Sequence, residues 1–426
     1  MITRIQNALA KCGISLWRIN ESVEETAELF FVRKELDTRR IKDVHKYAVT
    51  VFRDVEADGE TRRGFTSANL IASMDDGQIE EELKSAYYAA QVAANPFYEL
   101  TDPVKAPLIE KKGELAEAPL AQSAGKMAKA LFAPDVHKDA FINSAEIFVH
   151  RYWERILSSE GTDVSYTNAV VKGEFVVQCR EPEDVEIHNR FVYDELEEKA
   201  LSDKVSEALT FVRDRARAQK ILKSGKYDLI LSGNEVGEVL SYYQQRSSAM
   251  AVYAKYSTWK QGEDVQGADT SGEHLDITLC ALEPYSEEGI PVEDLSLLKG
   301  GVLQAYHGAH RFSRYLGVKS TGHHEKISCA NGTAPFAEMK KKPCLWAVTF
   351  SDFQMNAMSG HFGGEIRLAY LIDGDRVTPV TGGSVNGSLL EAQKDLTFST
   401  ERYVTAKYDG PYAVRLTGVS IAGVGE

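Results

Sequence analysis

Lys226–Tyr256 reads KYDLILSGNEVGEVLSYYQQRSSAMAVYAKY, and its periodicity changes part-way along. Leu229, Ile230 and Leu231 form a short apolar run stopped by Ser232-Gly233-Asn234; beyond it Val236, Val239, Leu240, Tyr243, Met250 and Ala254 recur at helical spacing. The spacing predicts a buried strand turning into a helix over Asn234–Tyr256. Asn234 is placed to cap the first turn, and Glu235 and Glu238 stand where the positive end of the helix dipole favours carboxylates. A strand feeding a capped helix holds side chains as firmly as an active site requires. Yet Ser241-Tyr242-Tyr243-Gln244-Gln245-Arg246 contains no histidine, cysteine or acid that could ligate a metal or serve as an ordinary general base.

Around this stretch the composition is that of an ordinary globular chain, with 43% hydrophobic and 26% charged residues over 426 positions, long enough to expect two domains. A net charge of −14 excludes the dense Lys/Arg footprint of a nucleic-acid binder, and Lys340-Lys341-Lys342 reads as a solvated loop. The first residues, MITRIQNALAKCGISLW, are amphipathic rather than secretory, and no window approaches the roughly 18 apolar residues of a membrane helix. Cytoplasm is the expected compartment. Cys12, Cys179, Cys280, Cys329 and Cys344 are odd in number and form no CxxC pair, so reduced thiols are expected rather than a disulfide framework or zinc knuckle.

In chain order, residues 4–12 suggest a helix, and Leu29–Val32 and Tyr47–Val55 suggest strands, the second turning at Asp58-Gly59. A helix over Ile79–Ala94 is expected, capped by Asp75 or Asp76. Five of the twelve prolines fall between Pro96 and Pro134, which places a linker at 96–119 and a domain boundary near 120. Ala121–Phe132 and a short piece after Asp135 look helical. Alternating strands from Ala145 to Val177 and a long helix over Glu195–Leu222 lead back to the opening stretch. Twenty-four of the thirty-two glycines lie at or beyond Gly225, a density that suits short strands and tight turns. The expected class is therefore α+β: a small N-terminal α/β domain (1–119), then a larger, mainly antiparallel β-rich domain with several helices (120–426).

Three motifs carry a resemblance to a known family: DDGQIEEELKSAYYAA after the N-terminal hairpin, VLQAYHGAHRFSRYLGVKSTGH, and GHFGGEIRLAYLIDGDRVTPVTGGSVNGSLLEA. Their order and spacing over nearly the whole chain resemble the TldD/TldE (PmbA) family of metallopeptidases once described as modulators of DNA gyrase. The resemblance implies a two-protein protease whose TldD-type subunit carries a zinc helix of pattern HExxxH and a later cysteine, while the TldE-type subunit does not. By order along the chain, SYYQQR occupies the motif's place, with Ser241, Tyr242 and Arg246 at the degenerate positions. It follows from the resemblance that this chain is of the TldE type, that no catalytic or cofactor-binding residue carries over, and that zinc belongs to a TldD-like partner. The implied partners are that subunit or a second copy of this chain, and the implied substrates are unfolded or leader peptides.

Two other readings stay open. His307 and His310, at i and i+3 on an expected helix, lie near His324-Glu325 and Cys329 in sequence, and could form a metal site for a stand-alone peptidase or hydrolase. Against it, Thr321-Gly322 and Asn331-Gly332 mark the 323–329 stretch as a loop. His361 is a remote further candidate ligand. The second reading is a homodimeric peptide-binding protein with no catalytic partner; separately, glycine-flanked sheet edges could pair with an extended peptide, which would suit a substrate-guiding subunit. There is no GxSxG elbow, and the glycine pairs 300–301, 363–364 and 382–383 lack nucleotide-loop spacing.

Overall fold

The computed structural model describes residues 1–425. The N-terminal half runs α1 (Ile2–Lys11), β1 (Leu16–Val32), β2 (Glu35–Ala57), β3 (Glu60–Ile71), α2 (Asp76–Val92), β4 (Asn95–Pro96), α3 (Glu114–Glu117), α4 (Leu120–Phe132), β5 (Ala140–Ser158), β6 (Asp163–Cys179), β7 (Val185–Tyr193) and α5 (Glu198–Ala216). The next stretch holds β8 (Gly225–Ser232), α6 (Asn234–Arg246), α7 (Ala249–Tyr253), β9 (Ile277–Cys280), β10 (Leu295–Lys299), β11 (Val302–Leu303), α8 (His310–Leu316), β12 (Lys326–Cys329) and α9 (Phe336–Met339). The last holds β13 (Cys344–Met355), β14 (His361–Asp373), β15 (Arg376–Val380), β16 (Ser384–Ser388), α10 (Leu389–Ala392), β17 (Thr397–Phe398), β18 (Arg402–Val404), β19 (Tyr408–Pro411) and β20 (Ala413–Ala422). This is the expected α+β class, with mostly antiparallel sheets.

The first sheet has seven strands in the order β4-β3-β2-β1-β5-β6-β7. One face is apolar. Ile19, Val49, Val51 and Leu70 pack under α1 and α2, while Ala27, Ile147, Val149, Val171 and Phe175 pack under α4 and α5. The helix α2 begins as its sequence dictates: Asp75 accepts from the backbone of Gln78, whose side chain accepts from the backbone of Asp75, and Ile79, Leu83, Ala86 and Ala90 turn inward.

The boundary expected near residue 120 is corrected by this sheet. The strand β5 pairs with β1 along its length, from Arg18↔Ser158 to Val32↔Ser144, so residues 140–193 extend the N-terminal sheet. The proline-rich segment is not a free linker either. Lys105 and Ile109 bridge to Asp163 and Tyr166 on β6, and Leu115 is fully buried. Prolines suit such a strap because it needs few backbone donors. The short helix expected after Asp135 is absent: the chain turns there and enters β5 directly.

The C-terminal half builds two sheets. One has six strands, β11-β10-β9-β12-β19-β18, with β12 and β19 parallel. The other runs β13-β8-β20-β16-β14-β15, and a further pairing of β13 with β14 returns it on itself. Five strands, β13, β8, β20, β16 and β14, thus form a closed circuit. The largest core of the molecule lies here, joining Leu229, Leu231, Val414 and Leu416 to the buried face of α6.

Candidate functional site

The strand β8 and helix α6 form as the opening stretch predicts, with Leu229, Ile230 and Leu231 fully buried and Val236, Val239, Leu240 and Tyr243 turned into the core. Three details differ. Gly233, at φ +70°, takes the N-cap place, and the Asn234 side chain instead accepts a hydrogen bond from the Tyr403 hydroxyl at 3.1 Å. The helix does not run to Tyr256: it stops at Arg246, and Ser248 caps the separate α7 by accepting from Ala251 N–H. Glu235 is drawn inward, and burial pushes its carboxyl up to about 7 despite the helix N-terminus. Glycine at 237 is needed for close approach, since a Cβ there would lie 3.1 Å from the Tyr408 ring.

The positions where the resemblance puts a zinc motif are otherwise occupied. Ser241 donates to the Glu238 carbonyl of its own helix at 2.7 Å. Tyr242 is 2% exposed and packs edge-on to Tyr243 (5.3 Å) and Trp259 (5.6 Å). The Arg246 guanidinium lies 5.3 Å from the Trp259 ring centre and donates to the carbonyl of Tyr256. Tyr243 is fully buried and donates to Gln393 Oε1 at 2.7 Å. A guanidinium is a cation, and burial raises both phenol pKa values, so this donor set does not fit a zinc ion. Among the described residues, no three His, Cys, Asp or Glu side chains gather into a metal-holding group.

A cleft of about 640 Å³ opens beside this helix end. Its apolar lining includes Met250, Ala251, Phe312, Ala357 and Met358; its polar lining includes Gln244, His307, His324 and the rim ion pair Lys407–Glu325 at 3.1 Å. Apolar walls with a few polar groups are the usual lining of a ligand-binding site.

The histidine cluster comes together only in part. His307 and His324 meet, with ring centres 6.2 Å apart, and both brace α6: His307 Nε2 donates to the Gln244 carbonyl at 2.7 Å, and the Gln244 side chain donates to the His324 carbonyl at 2.7 Å. His324 Nε2 donates to the Glu293 carbonyl at 2.9 Å. His310 is not on a shared helical face with His307. Gly308, at φ +124°, breaks the chain between them, α8 starts only at His310, and its ring is bound to the Glu99 carbonyl and Ser320. Cys329 lies on β12 in the apolar core, where burial pushes its thiol up to about 12. His361 lines a different depression, with Nδ1 near the Gly387 carbonyl. The cleft itself had no local signal in the sequence, because its walls come from five separate segments.

His307 yields a pH prediction. Burial drives its pKa from 6.5 down to about 4, so between those values the unfolded chain holds a proton that the folded chain excludes. The stability it confers is complete above pH 6.5 and declines by about 3 kcal/mol as the pH falls to 4. Glu154 and Glu235, both raised to about 7 from 4.5, slope the other way, losing stability as the pH rises. The test is therefore the difference between parent and His307→Gln in chemical denaturation at several pH values. The parent's advantage is expected to shrink by about 3 kcal/mol from pH 7 to 4, and a constant difference would mean that the ring is not held neutral.

Comparison with known proteins bears on residues well beyond the cleft. Residues 224–423 match the family profile described as the PmbA/TldA metallopeptidase C-terminal domain. A metalloprotease TldD homolog of Haemophilus influenzae is 27% identical over 132 residues, 27% of either chain, and one of Buchnera aphidicola is 31% identical over 126 residues, 26% of either chain. The chain thus spans about a quarter of the length of the curated relatives it matches. The crystal structure of TldE from Thermococcus kodakarensis superimposes with a TM-score of 0.78 at 16% identity, covering 99% of this chain and 100% of that one, which shows a common fold.

Proposed function

We propose, for a chain whose residues 224–423 match the PmbA/TldA metallopeptidase C-terminal domain, the role of a TldE-like subunit that binds no catalytic metal and works in a TldD/TldE-type assembly. In this reading the chain receives an unfolded or leader peptide in the cleft beside α6, and a TldD-like partner supplies the zinc and cuts. The observation that supports it is the aromatic and guanidinium packing of Tyr242, Tyr243, Trp259 and Arg246 where a metallopeptidase would hold imidazoles and a carboxylate. The chain's own part is binding and orientation. Met250 and Phe312 offer apolar contact, and Gln244 and Glu325 offer polar groups to a peptide backbone.

The test is to mix this chain with a TldD-like protein and an unstructured peptide, and to follow cleavage together with the metal content of each chain. Cleavage is expected to rise at least about tenfold over either protein alone, a gain of the size that correct positioning of a substrate provides. The metal is expected in the partner chain only. Equal cleavage with and without this chain would end the proposal, as would stoichiometric zinc in this chain lost on His324→Ala.

A further inference from the structure

The cleft beside α6 carries a surplus positive charge in an acidic protein. The chain has a net charge of −14, yet the charged side chains lining the cleft are Arg246, Lys407 and Glu325, and among the described residues that one carboxylate of the lining is held by Lys407. His307 and His324 add no charge near neutral pH, because burial lowers both pKa values and each ring donates its Nε2 proton to a backbone carbonyl. Arg246 is left over. An unpaired cation in a partly enclosed, mostly apolar cleft draws anions toward it.

The guanidinium is held in place, and by one side only. Arg246 closes the last turn of α6, half-buried, with its guanidinium carbon 5.3 Å from the centre of the Trp259 ring and 6.0 Å from that of Tyr242. Nη1 donates to the Tyr256 carbonyl and lies 3.5 Å from that of Met358, so a role in tying down the helix end uses this one nitrogen. Nε is buried with no partner, and Nη2 donates to no group among the described residues. These two nitrogens share one edge of the guanidinium, and their parallel N–H bonds match the two oxygens of a carboxylate. A charged N–H withdrawn from water without an acceptor is costly, and a carboxylate relieves that cost.

We infer that Arg246 binds a carboxylate of the peptide in the cleft through Nε and Nη2, while Met250 and Phe312 take apolar side chains beside it. The inference rests on the reading of this cleft as the peptide's seat and adds a selectivity to it. Of two peptides alike in apolar content, the one that brings a carboxylate to Arg246 is held more tightly. The carboxylate comes from the C-terminus of the peptide or from an Asp or Glu side chain, since both present the same pair of oxygens. Lys407 is a poorer anchor for it, because its ammonium is already engaged by Glu325 and offers no planar fork.

The experiment is isothermal titration calorimetry of the full chain, without a partner protein, against a short unstructured peptide of glycine, serine, leucine and phenylalanine. The peptide is made with a free C-terminal carboxylate, with a C-terminal amide, and as the amide with one internal glutamate. The parent is expected to bind at least one carboxylate form at least about tenfold more tightly than the plain amide, the size of a charge-assisted pair. Which form gains identifies the source of the carboxylate. In Arg246→Gln the three forms are expected to bind alike, at the parent's affinity for the amide, because the apolar wall is unchanged; Arg246→Lys, which keeps the charge and loses the fork, is expected to retain only part of the preference. Lys407→Gln is expected to keep all of it. Circular dichroism verifies the fold of each variant. Equal affinity of the parent for the three forms would overturn the inference and leave the cleft as the peptide's seat, whereas no binding of any form would end both. A preference that survives Arg246→Gln, is undiminished in Arg246→Lys, or vanishes with Lys407→Gln would overturn the assignment to Arg246.

Discussion

Truncation of Tyr243 to alanine is expected to cost about 3–5 kcal/mol of unfolding free energy, the range for removing a large aromatic side chain from a packed core. The ring is fully buried, stacks on Trp259 at 6.1 Å, meets Tyr242 edge-on, and sits in the core that links α6 to the closed circuit of strands. Tyr243→Phe keeps the ring and loses only the hydrogen bond to Gln393, which is 5% exposed, leaving a buried acceptor unsatisfied at about 1–3 kcal/mol. Urea denaturation monitored by tryptophan fluorescence measures both. An alanine variant within about 1 kcal/mol of the parent would contradict the packing described for this helix. The prediction bears on function because the Tyr242–Tyr243–Trp259 group takes the room that metal ligands would need.

Loss of peptide handling is the second large effect. Phe312→Asp and Met250→Asp replace apolar walls of the cleft with carboxylates, and each is expected to weaken the peptide's hold by about tenfold to hundredfold, the equivalent of burying or exposing one large apolar side chain. Phe312 is half-buried and Met250 is 45% exposed, so the fold tolerates both changes. The readout is the peptide concentration at which cleavage in the two-protein mixture reaches half its maximum, with stability measured alongside. If both variants support cleavage at the parent's concentration, the cleft is not the peptide's path.

Local signals in the sequence served well wherever the physics is local. The Asp75 cap of α2 and the apolar run Leu229–Leu231 both depend on residues within a few positions of each other. Partners far apart in sequence left no such mark. Nothing in the alternation of β5 says that Val23 faces Trp153, and the prolines at 96–134 look the same whether a segment hangs free or is strapped to β6. At the site, the absence of imidazoles from Ser241, Tyr242 and Arg246 was plain, but what replaced them depends on Trp259 and Gln393. The spacing of His307 and His310 misled because helical spacing counts only inside a helix, and Gly308 keeps His307 out of one.

The circuit β13-β8-β20-β16-β14 has a consequence for how the molecule is made. Its second strand, β8, begins at Gly225 and is flanked by β13 and β20, which begin at Cys344 and Ala413. While the ribosome is still adding the residues between them, β8 has no neighbour on either side, although its three leucine and isoleucine side chains are already outside the exit tunnel. Long-range pairing of this kind is slow and leaves sticky intermediates. The nascent chain therefore passes through a lengthy stage with its most apolar strand unshielded, and a chaperone that covers Tyr227–Ser232 until translation ends would raise the yield of native protein more than one acting on the N-terminal sheet.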